Sequence, residues 1–543
     1  MVFARRSTTL LAAIIASCAM VLSLTACTSD NKTVVDGQTT VTSNSAGGVA
    51  VFTPSDGITL NQQMPLNKWA KLVPDLTKAL VDAGFKKGDI NHTTSDSLDK
   101  QSRAIQDFVV DHLSNNTTDD SGIAIAPDNM TLLVAPVVEA DASTRQYGDY
   151  VSQNLSTNDV TDEGATSDGE SSEDDSSKDD SSNTESDSTA SDEQAQAVDR
   201  LVSSLKLAKE SGMHVVLLGN SIEGYKPDAF VKFSDAQTIG KLQAEKMVSK
   251  LKLDKASKDN PKYIEVLLPY TAVDEKGNAN DSTFAQEAFR GIWQVLGSYY
   301  QKGVVESPSG TLDGKSTEND WQAVAYDAAK EGSTAKVLDK RLAKTDGQST
   351  LTRIDGIITM NDYIASEVVK ELDDLGYTGS AADINPQITI SGIVGNITGK
   401  KDLSRDAVPD PIKSPENDNA NDSSSSDDDA DKDTSASDKD RDSQWPLVTG
   451  YGAYVSNIPS IVNGKQWMTG MEDRQTIATD IAQACAKLNK DEALNSMPSI
   501  RNSEVGGVKK IPTISEPLLA VSASNLKSAL IDPGYISLAD AGL

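Results

Sequence analysis

Three histidines, three cysteines and a large excess of carboxylates are the residues of this chain with the potential for covalent, acid–base or metal chemistry. His92 falls in a polar loop, His112 near the end of a predicted helix, and His214 at the start of a predicted strand. No metal-ligand spacing joins them. Neither a Gly-x-Ser-x-Gly elbow nor a phosphate-binding loop of the Gly-x-x-x-x-Gly-Lys type occurs. Cys485 stands alone on a predicted helix, Thr476 to Leu488, where a cysteine packs as a small apolar residue. The acidic runs lack the alternating ligands and fixed glycine of a calcium loop. An enzyme is therefore not expected, nor a metal or cofactor.

Cys27 is the cysteine with a chemical context. Arg5 and Arg6 precede an apolar stretch from Leu10 to Leu24, which ends in Leu24-Thr25-Ala26-Cys27. This is the layout of a secretion signal, residues 1–26, closing on a lipobox whose cysteine becomes the acylated first residue of the mature chain. Two or three acyl chains hold a protein on a membrane far more firmly than one. The expected location is the extracytoplasmic face of a cell membrane. Cys18 leaves with the signal and only Cys485 remains, so packing alone must hold the fold.

The formal net charge is −31. Thirteen acids against Lys178 lie between Asp162 and Glu193, and eleven acids against three bases between Glu416 and Asp442. These tracts carry about two thirds of the net charge and too little apolar surface to fold. They are expected to be disordered insertions, 160–196 and 410–443. An acidic surface argues against nucleic acid. Residues 27–48, rich in Ser, Thr, Asn and Gly, read as a flexible tether.

From Val49 onward, strands and helices alternate. Short apolar strands are expected at Val49–Phe52, Thr131–Pro136, His214–Leu218, Tyr263–Leu268, Gly356–Met360 and Pro446–Gly450. Helices are expected at Leu66–Ala83, Ser97–His112, Val198–Ser211, Ser282–Leu296, Asp320–Ala343 and Tyr363–Leu375. This rhythm predicts parallel sheets covered by helices, and the length suits two α/β lobes. By position alone Asp235 and Asp362 each suit a helix N-cap.

Several segments, in order, resemble one family. They are Pro65-Leu66-Asn67-Lys68-Trp69, Lys100-Gln101 with Ile105, and Ala208-Lys209-Glu210-Ser211-Gly212-Met213-His214-Val215-Val216. Phe230-Val231-Lys232-Phe233-Ser234-Asp235, Ile357-Ile358-Thr359-Met360-Asn361-Asp362 and Val462-Asn463-Gly464-Lys465-Gln466-Trp467-Met468-Thr469 follow. The tail runs from Glu516-Pro517-Leu518-Leu519 to Gly534-Tyr535-Ile536-Ser537. Together they resemble the type I periplasmic sugar-binding proteins, in the branch of D-xylose and multiple-monosaccharide receptors. The resemblance implies two Rossmann-like lobes joined by three hinge strands and closing on one sugar. It places an N-terminal lobe at 49–218, a C-terminal lobe at 219–467, a return to the first lobe at 468–510, and a last crossing and C-terminal-lobe tail at 511–543.

The resemblance further implies a substrate-binding lipoprotein of an ABC importer, monomeric, with permease subunits as partners and a monosaccharide or related carbohydrate as ligand. A sensor or scaffold lipoprotein with the same fold is the alternative. Sugar contacts would fall to Asn361, Asp362, Asp235 and Gln466, with Asn220 and Asn280 beside them. Trp69 and Trp321 would be stacking platforms, and Lys68 stands where the family has Arg. Carboxylates and amides bind hydroxyls in pairs, and an indole covers the apolar face of a pyranose. Two elements depart from the pattern. Gly219-Asn220-Ser221 replaces the family's Tyr-Asp-Arg, and Gly450-Tyr451-Gly452-Ala453 replaces Gly-x-Asp-Ala.

Changing Cys27→Ser is expected to release the protein from membranes or block its processing. Mass spectrometry of the mature N-terminus checks this, and an unmodified terminal residue in the wild type would refute it.

Overall fold

The computed structural model describes residues 34–35, 38–39, 46–55, 65–115, 125–138, 146–150, 153–156, 185–273, 280–328, 330–343, 351–381 and 445–543. Cys27, the signal segment and the second acidic tract lie outside them. Val34–Val35 pairs antiparallel with Gln38–Thr39 in a small unit that ends at Asn44. The rest of the chain is a second unit.

The first half of that unit contains β1 (Gly48–Pro54), α1 (Trp69–Asp82), β2 (Ile90–Ser95), α2 (Leu98–Asn115), β3 (Met130–Val134), α3 (Glu185–Glu210), β4 (His214–Leu218) and β5 (Ala229–Val231). Next come α4 (Ala236–Leu251), β6 (Lys262–Val266), α5 (Thr283–Gln301), β7 (Val305–Glu306), α6 (Ser333–Arg341), β8 (Gly356–Ile358), α7 (Asp362–Asp374) and β9 (Leu447–Val448). The chain closes with β10 (Met468–Met471), α8 (Arg474–Leu488), β11 (Ile500–Val505), β12 (Val508–Ile514) and β13 (Leu519–Ser522).

Two sheets result. The first has the order β11-β12-β5-β4-β3-β1-β2, parallel except for the β11–β12 hairpin. The second, β7-β6-β8-β9, is wholly parallel. Both faces of the first sheet are covered, which is why its strands read as continuous apolar runs. Val49 and Val51 face α1 and α8, while Ala50 and Phe52 face α2 and α3. The second sheet repeats this pattern. Ile264, Val266 and Ile358 pack against α4 and α5, and Ile357 and Val448 against α6 and α7.

The chain passes between the sheets three times. Lys232–Asp235 leads from β5 to α4, β10 leads from the second sheet back to α8, and β13 follows β12. β10 and β13 pair antiparallel from Met468↔Ser522 to Met471↔Leu519. Only the second and third passages are strands, where three were expected. Ala229–Val231 pairs with β4 and β12, so the chain leaves the first sheet after Val231 and not after Leu218. Likewise β12 holds residues up to Ile514 in the first sheet. The tail then packs Leu526, Leu530 and Ile536 around the passages, against Leu66, Ala453, Ile458 and Met471.

Three further expectations change. The expected tether holds the paired strands Val34–Val35 and Gln38–Thr39, and it ends by Ala46, whose N–H meets the Gly84 carbonyl at 3.1 Å and whose carbonyl accepts from Asn489 Nδ2 at 3.0 Å. Residues 185–196 of the first acidic tract are helical, as the opening turns of α3. The single helix expected over Asp320–Ala343 is broken into a turn at Asp320–Ala323, a strand at Ala325–Tyr326 and α6. The strand pairs with Leu268–Pro269, and Gly332, at φ 70°, caps the start of α6.

Helices α4 and α5 owe their close approach to glycine. A Cβ on Gly291 would lie 2.0 Å from the Gln237 carbonyl oxygen, and one on Gly240 2.2 Å from that of Ala288. Gly291→Ala is therefore expected to force the helices apart and cost about 1–3 kcal/mol. Urea unfolding measures this, and an unchanged midpoint would contradict the packing.

Candidate functional site

The loops that follow the carboxyl ends of β8 and β9 build the polar centre of the molecule. Asn361 caps α7, its Oδ1 accepting from the Ile364 N–H at 2.9 Å. That cap turns Asp362 inward, where it is fully buried. Its Oδ2 accepts from the Tyr454 N–H and from Thr469 Oγ1, both at 2.9 Å, and its Oδ1 from Gln466 Nε2 at 2.7 Å. Gln466, also fully buried, donates to the Met468 carbonyl and accepts from Asn457 Nδ2, which in turn reaches the Asp362 carbonyl. Asp362 thus ties α7, the loop after β9 and the crossing strand β10 into one network.

Room for this comes from glycine. A Cβ on Gly450 would sit 2.1 Å from Asp362 Oδ1. Gly452, at φ 113°, offers its Cβ position only contacts of 3.0–3.3 Å with Tyr454 and Pro65. Met360 and Ala453 hold φ values of 68° and 50°, so left-handed strain gathers on both sides of Asp362. No cation pairs with the Asp362 carboxyl in the network, and burial raises its pKa to about 6 against the opposing hydrogen bonds.

A second buried carboxyl, Glu472, follows β10. It accepts from the Ser234 N–H at 2.8 Å, from the Ser234 hydroxyl, and from Tyr451 at 3.2 Å. Burial raises its pKa as well. Ser234 lies in the first passage and Tyr451 in the loop after β9. The two carboxyls therefore span two passages and the second sheet.

The remaining expected residues are placed as follows. Asn220 is buried beside the first sheet, donating to the Pro136 carbonyl and accepting from the Gln153 N–H, both at 2.9 Å. Asp235 caps α4 through the Thr238 N–H at 2.7 Å and pairs with Lys232 at 2.9 Å. Asn280 braces a loop by donating to the Thr271 carbonyl at 2.9 Å. Trp321 stands edge-on to Tyr270 in the second lobe, with ring centroids 5.1 Å apart. Trp69 is buried edge-on against Tyr150 and Phe233. Lys68 pairs with Asp149 at 2.9 Å. The structure brings Asn361, Asp362 and Gln466 together. Lys68 and Trp69 form a separate group on the first lobe, while Asp235, Asn280 and Trp321 make the contacts just given with other residues.

Between these groups lies Gln146–Tyr150, a segment that sequence reasoning missed. The Gln146 carbonyl accepts from Tyr454 Oη at 2.7 Å, and its side chain accepts from Asn361 Nδ2 at 3.1 Å. Asp149 accepts from the Trp69 N–H at 3.0 Å as well as from Lys68. Two tyrosines flanking Gly148-Asp149 in an otherwise polar stretch were the available signal. Thr469 and Glu472 were also missed. Their hydrogen-bonding side chains sit at the end of an apolar crossing strand, where a strand pattern predicts packing only.

Among the described residues, no group of His, Cys, Asp and Glu has the arrangement of a metal site, and no helix is long and apolar enough to cross a membrane.

No family model matches the chain, and no curated protein matches it. Solved structures similar to it include an ABC transporter solute-binding protein from Clostridium phytofermentans with bound β-D-glucose. The identity is 16%, over 91% of this chain and 99% of that one, with a TM-score of 0.44. A carbohydrate transporter solute-binding protein from Chloroflexus aurantiacus in complex with D-glucose is 18% identical over 92% and 98%, with a TM-score of 0.42. An arabinose-binding protein from Geobacillus stearothermophilus is 10% identical over 89% and 99%, also with a TM-score of 0.42. These scores are low, and the chemistry of the site rests on this chain's own atoms.

Asp362→Ala strands the Tyr454 N–H and opens a cavity, an expected loss of about 2–4 kcal/mol. Asp235→Ala removes a cap and is expected to cost about 1 kcal/mol. Because the folded chain keeps the Asp362 proton up to about pH 6, whereas a solvated aspartate loses it near 3.8, the wild type loses stability as pH rises through that window. The Asp362→Ala deficit should therefore be larger at about pH 5 than at about pH 7.5. Urea titrations at the two pH values decide. A deficit that is equal, or larger at the higher pH, refutes this reading of the carboxyl.

Proposed function

We propose that the chain is an extracytoplasmic, lipid-anchored binding protein that captures a neutral carbohydrate between its two lobes and serves an ABC importer. One observation carries the reading. The loops at the carboxyl ends of two parallel sheets converge on a polar, aromatic-walled centre through which the chain passes three times. In open α/β sheets, ligands bind outside the carboxyl ends of the strands. Passages gathered at one place suit a hinge that closes around a small molecule. The order of the sequence segments that resemble the xylose-type receptors supports the same reading.

Within it the residues divide. Asn361, Lys68 and Trp69 are the proposed ligand contacts, since each meets the segment that lies between the lobes. Asp362 and Gln466 hold the loop and strand beside Asn361 and act as positioning residues. The chemistry fits a pyranose. Amide and ammonium groups suit hydroxyls, and the Trp69 edge with Phe233 suits an apolar ring face.

A second reading, a sensor or scaffold with the same fold, is favoured by one specific observation. The hydrogen-bonding groups of Asn361, Asp362, Gln466 and Asn220 already have partners within the chain.

Calorimetry of the purified protein against pentoses, hexoses, disaccharides and polyols separates the two. Saturable binding of one of them is expected, weakened about tenfold or more by Asn361→Ala or Lys68→Ala. No heat from any carbohydrate would reject the transport reading in favour of the scaffold.

A further inference from the structure

The five residues Gln146–Tyr150 touch both lobes, and each end does so with different chemistry. On the second lobe, Tyr147 is almost fully buried, with its ring 4.6 Å from Phe284 and 6.3 Å from Tyr451. It joins the apolar cluster that covers the second sheet, although β1–β5 and the helices around it belong to the first. Gln146 adds the two hydrogen bonds to Tyr454 and Asn361. On the first lobe, Asp149 grips Lys68 and the Trp69 N–H, and its own N–H donates to the Asn67 carbonyl at 2.8 Å. Tyr150 stacks on Phe233, with centroids 4.7 Å apart. Gly148 forms the bend between the two grips at φ 99°, and a Cβ there would lie 2.6 Å from the Asn67 carbonyl oxygen.

We propose that Gln146–Tyr150 is a built-in occupant of the interlobe site, an autoinhibitory strap that closes the lobes without ligand and must be displaced before a ligand can enter. It supplies what a bound sugar would supply: a flat ring between aromatic walls, and hydrogen-bonding atoms facing Asn361, Tyr454 and Lys68. The closed form of this protein is then its resting form. A ligand's apparent affinity is reduced by the fraction of molecules in which the strap is released. The identity of that ligand rests on the carbohydrate reading above, but the strap itself does not.

Hydrogen exchange on the full chain in detergent tests the strap with no ligand added. The wild type is expected to protect the peptides covering residues 65–69 and 450–456, where the Leu66 N–H donates to the Gly452 carbonyl across the lobes at 2.8 Å. Tyr147→Ala should speed exchange there about tenfold or more, leaving the strand peptides 130–134 and 262–266 unchanged. Asp149→Ala, which frees the first-lobe grip without opening an apolar core, should give the same pattern. Unchanged exchange at 65–69 and 450–456 in both variants overturns the proposal. So does a general loss of protection that includes the strands in both, since the segment would then be ordinary core.

D-Glucose and D-xylose, titrated by calorimetry into the wild type and Tyr147→Ala, form a second arm. Binding that tightens about tenfold or more in the variant supports the strap. Binding that is equal or weaker overturns it. If neither sugar nor any other carbohydrate binds either form, the carbohydrate reading falls, while hydrogen exchange still decides the strap.

Discussion

The buried carboxyl of Asp362 is the interaction on which the arrangement between the lobes depends. Three donors from two stretches of chain converge on it: a main-chain N–H after β9, and a side-chain amide and a hydroxyl at β10. An unpaired ion at such depth costs several kcal/mol, and the three hydrogen bonds offset only part of that, which is why the group holds its proton toward neutrality. What the network contributes is position. The start of α7, the loop after β9 and strand β10 each donate to, or carry, the same carboxylate, which adds to the main-chain bonds between them, such as Asp362 N–H to the Tyr451 carbonyl and Gly452 N–H to the Gly470 carbonyl. The strained backbone at Met360 and Ala453 is sustained by these contacts, and Gly450 is required by them.

Much of the fold was legible in sequence for a simple physical reason. β1, β3 and β4 are covered on both faces, so Val49–Phe52, Leu132–Val134 and Val215–Leu218 are apolar at every position. Such runs stand out against amphipathic helices. Legibility fails where structure depends on partners distant in sequence. Ala229–Val231 is too short to announce itself as a strand, and gains its place from β4 on one side and β12 on the other. Ala325–Tyr326 carries helix-compatible residues but is recruited by Leu268–Pro269.

The site was legible in a different measure. Sequence reasoning singled out Asn361, Asp362 and Gln466 as ligand contacts, because polar residues beside predicted strand ends are informative, and the structure brings the three together in one network. It did not find their mutual pairing, because residues 362, 457, 466 and 469 meet only after the β9 loop folds back. Asp235 satisfies the local cap that its position also suggested. Tyr147 was missed because an aromatic ring in a polar stretch signals burial but not which lobe's core it joins. Burial between lobes leaves no periodic trace.

The loop at Gly450-Tyr451-Gly452-Ala453 has a bearing on which substitutions the protein can accept. The third position is the one where the resembled family carries an aspartate. Here its backbone sits at φ 113°, and any Cβ would press on the Tyr454 ring and Pro65. An aspartate at position 452 would meet strain and crowding before it met a ligand. Tyr454 cannot readily give way, because its N–H is held by Asp362 and its hydroxyl by Gln146. A side chain at position 452 is therefore closed to single substitutions and needs a second change at Tyr454 or Pro65. The loop behaves as a lock: with its neighbours settled around a bare glycine, one residue cannot be altered without releasing another.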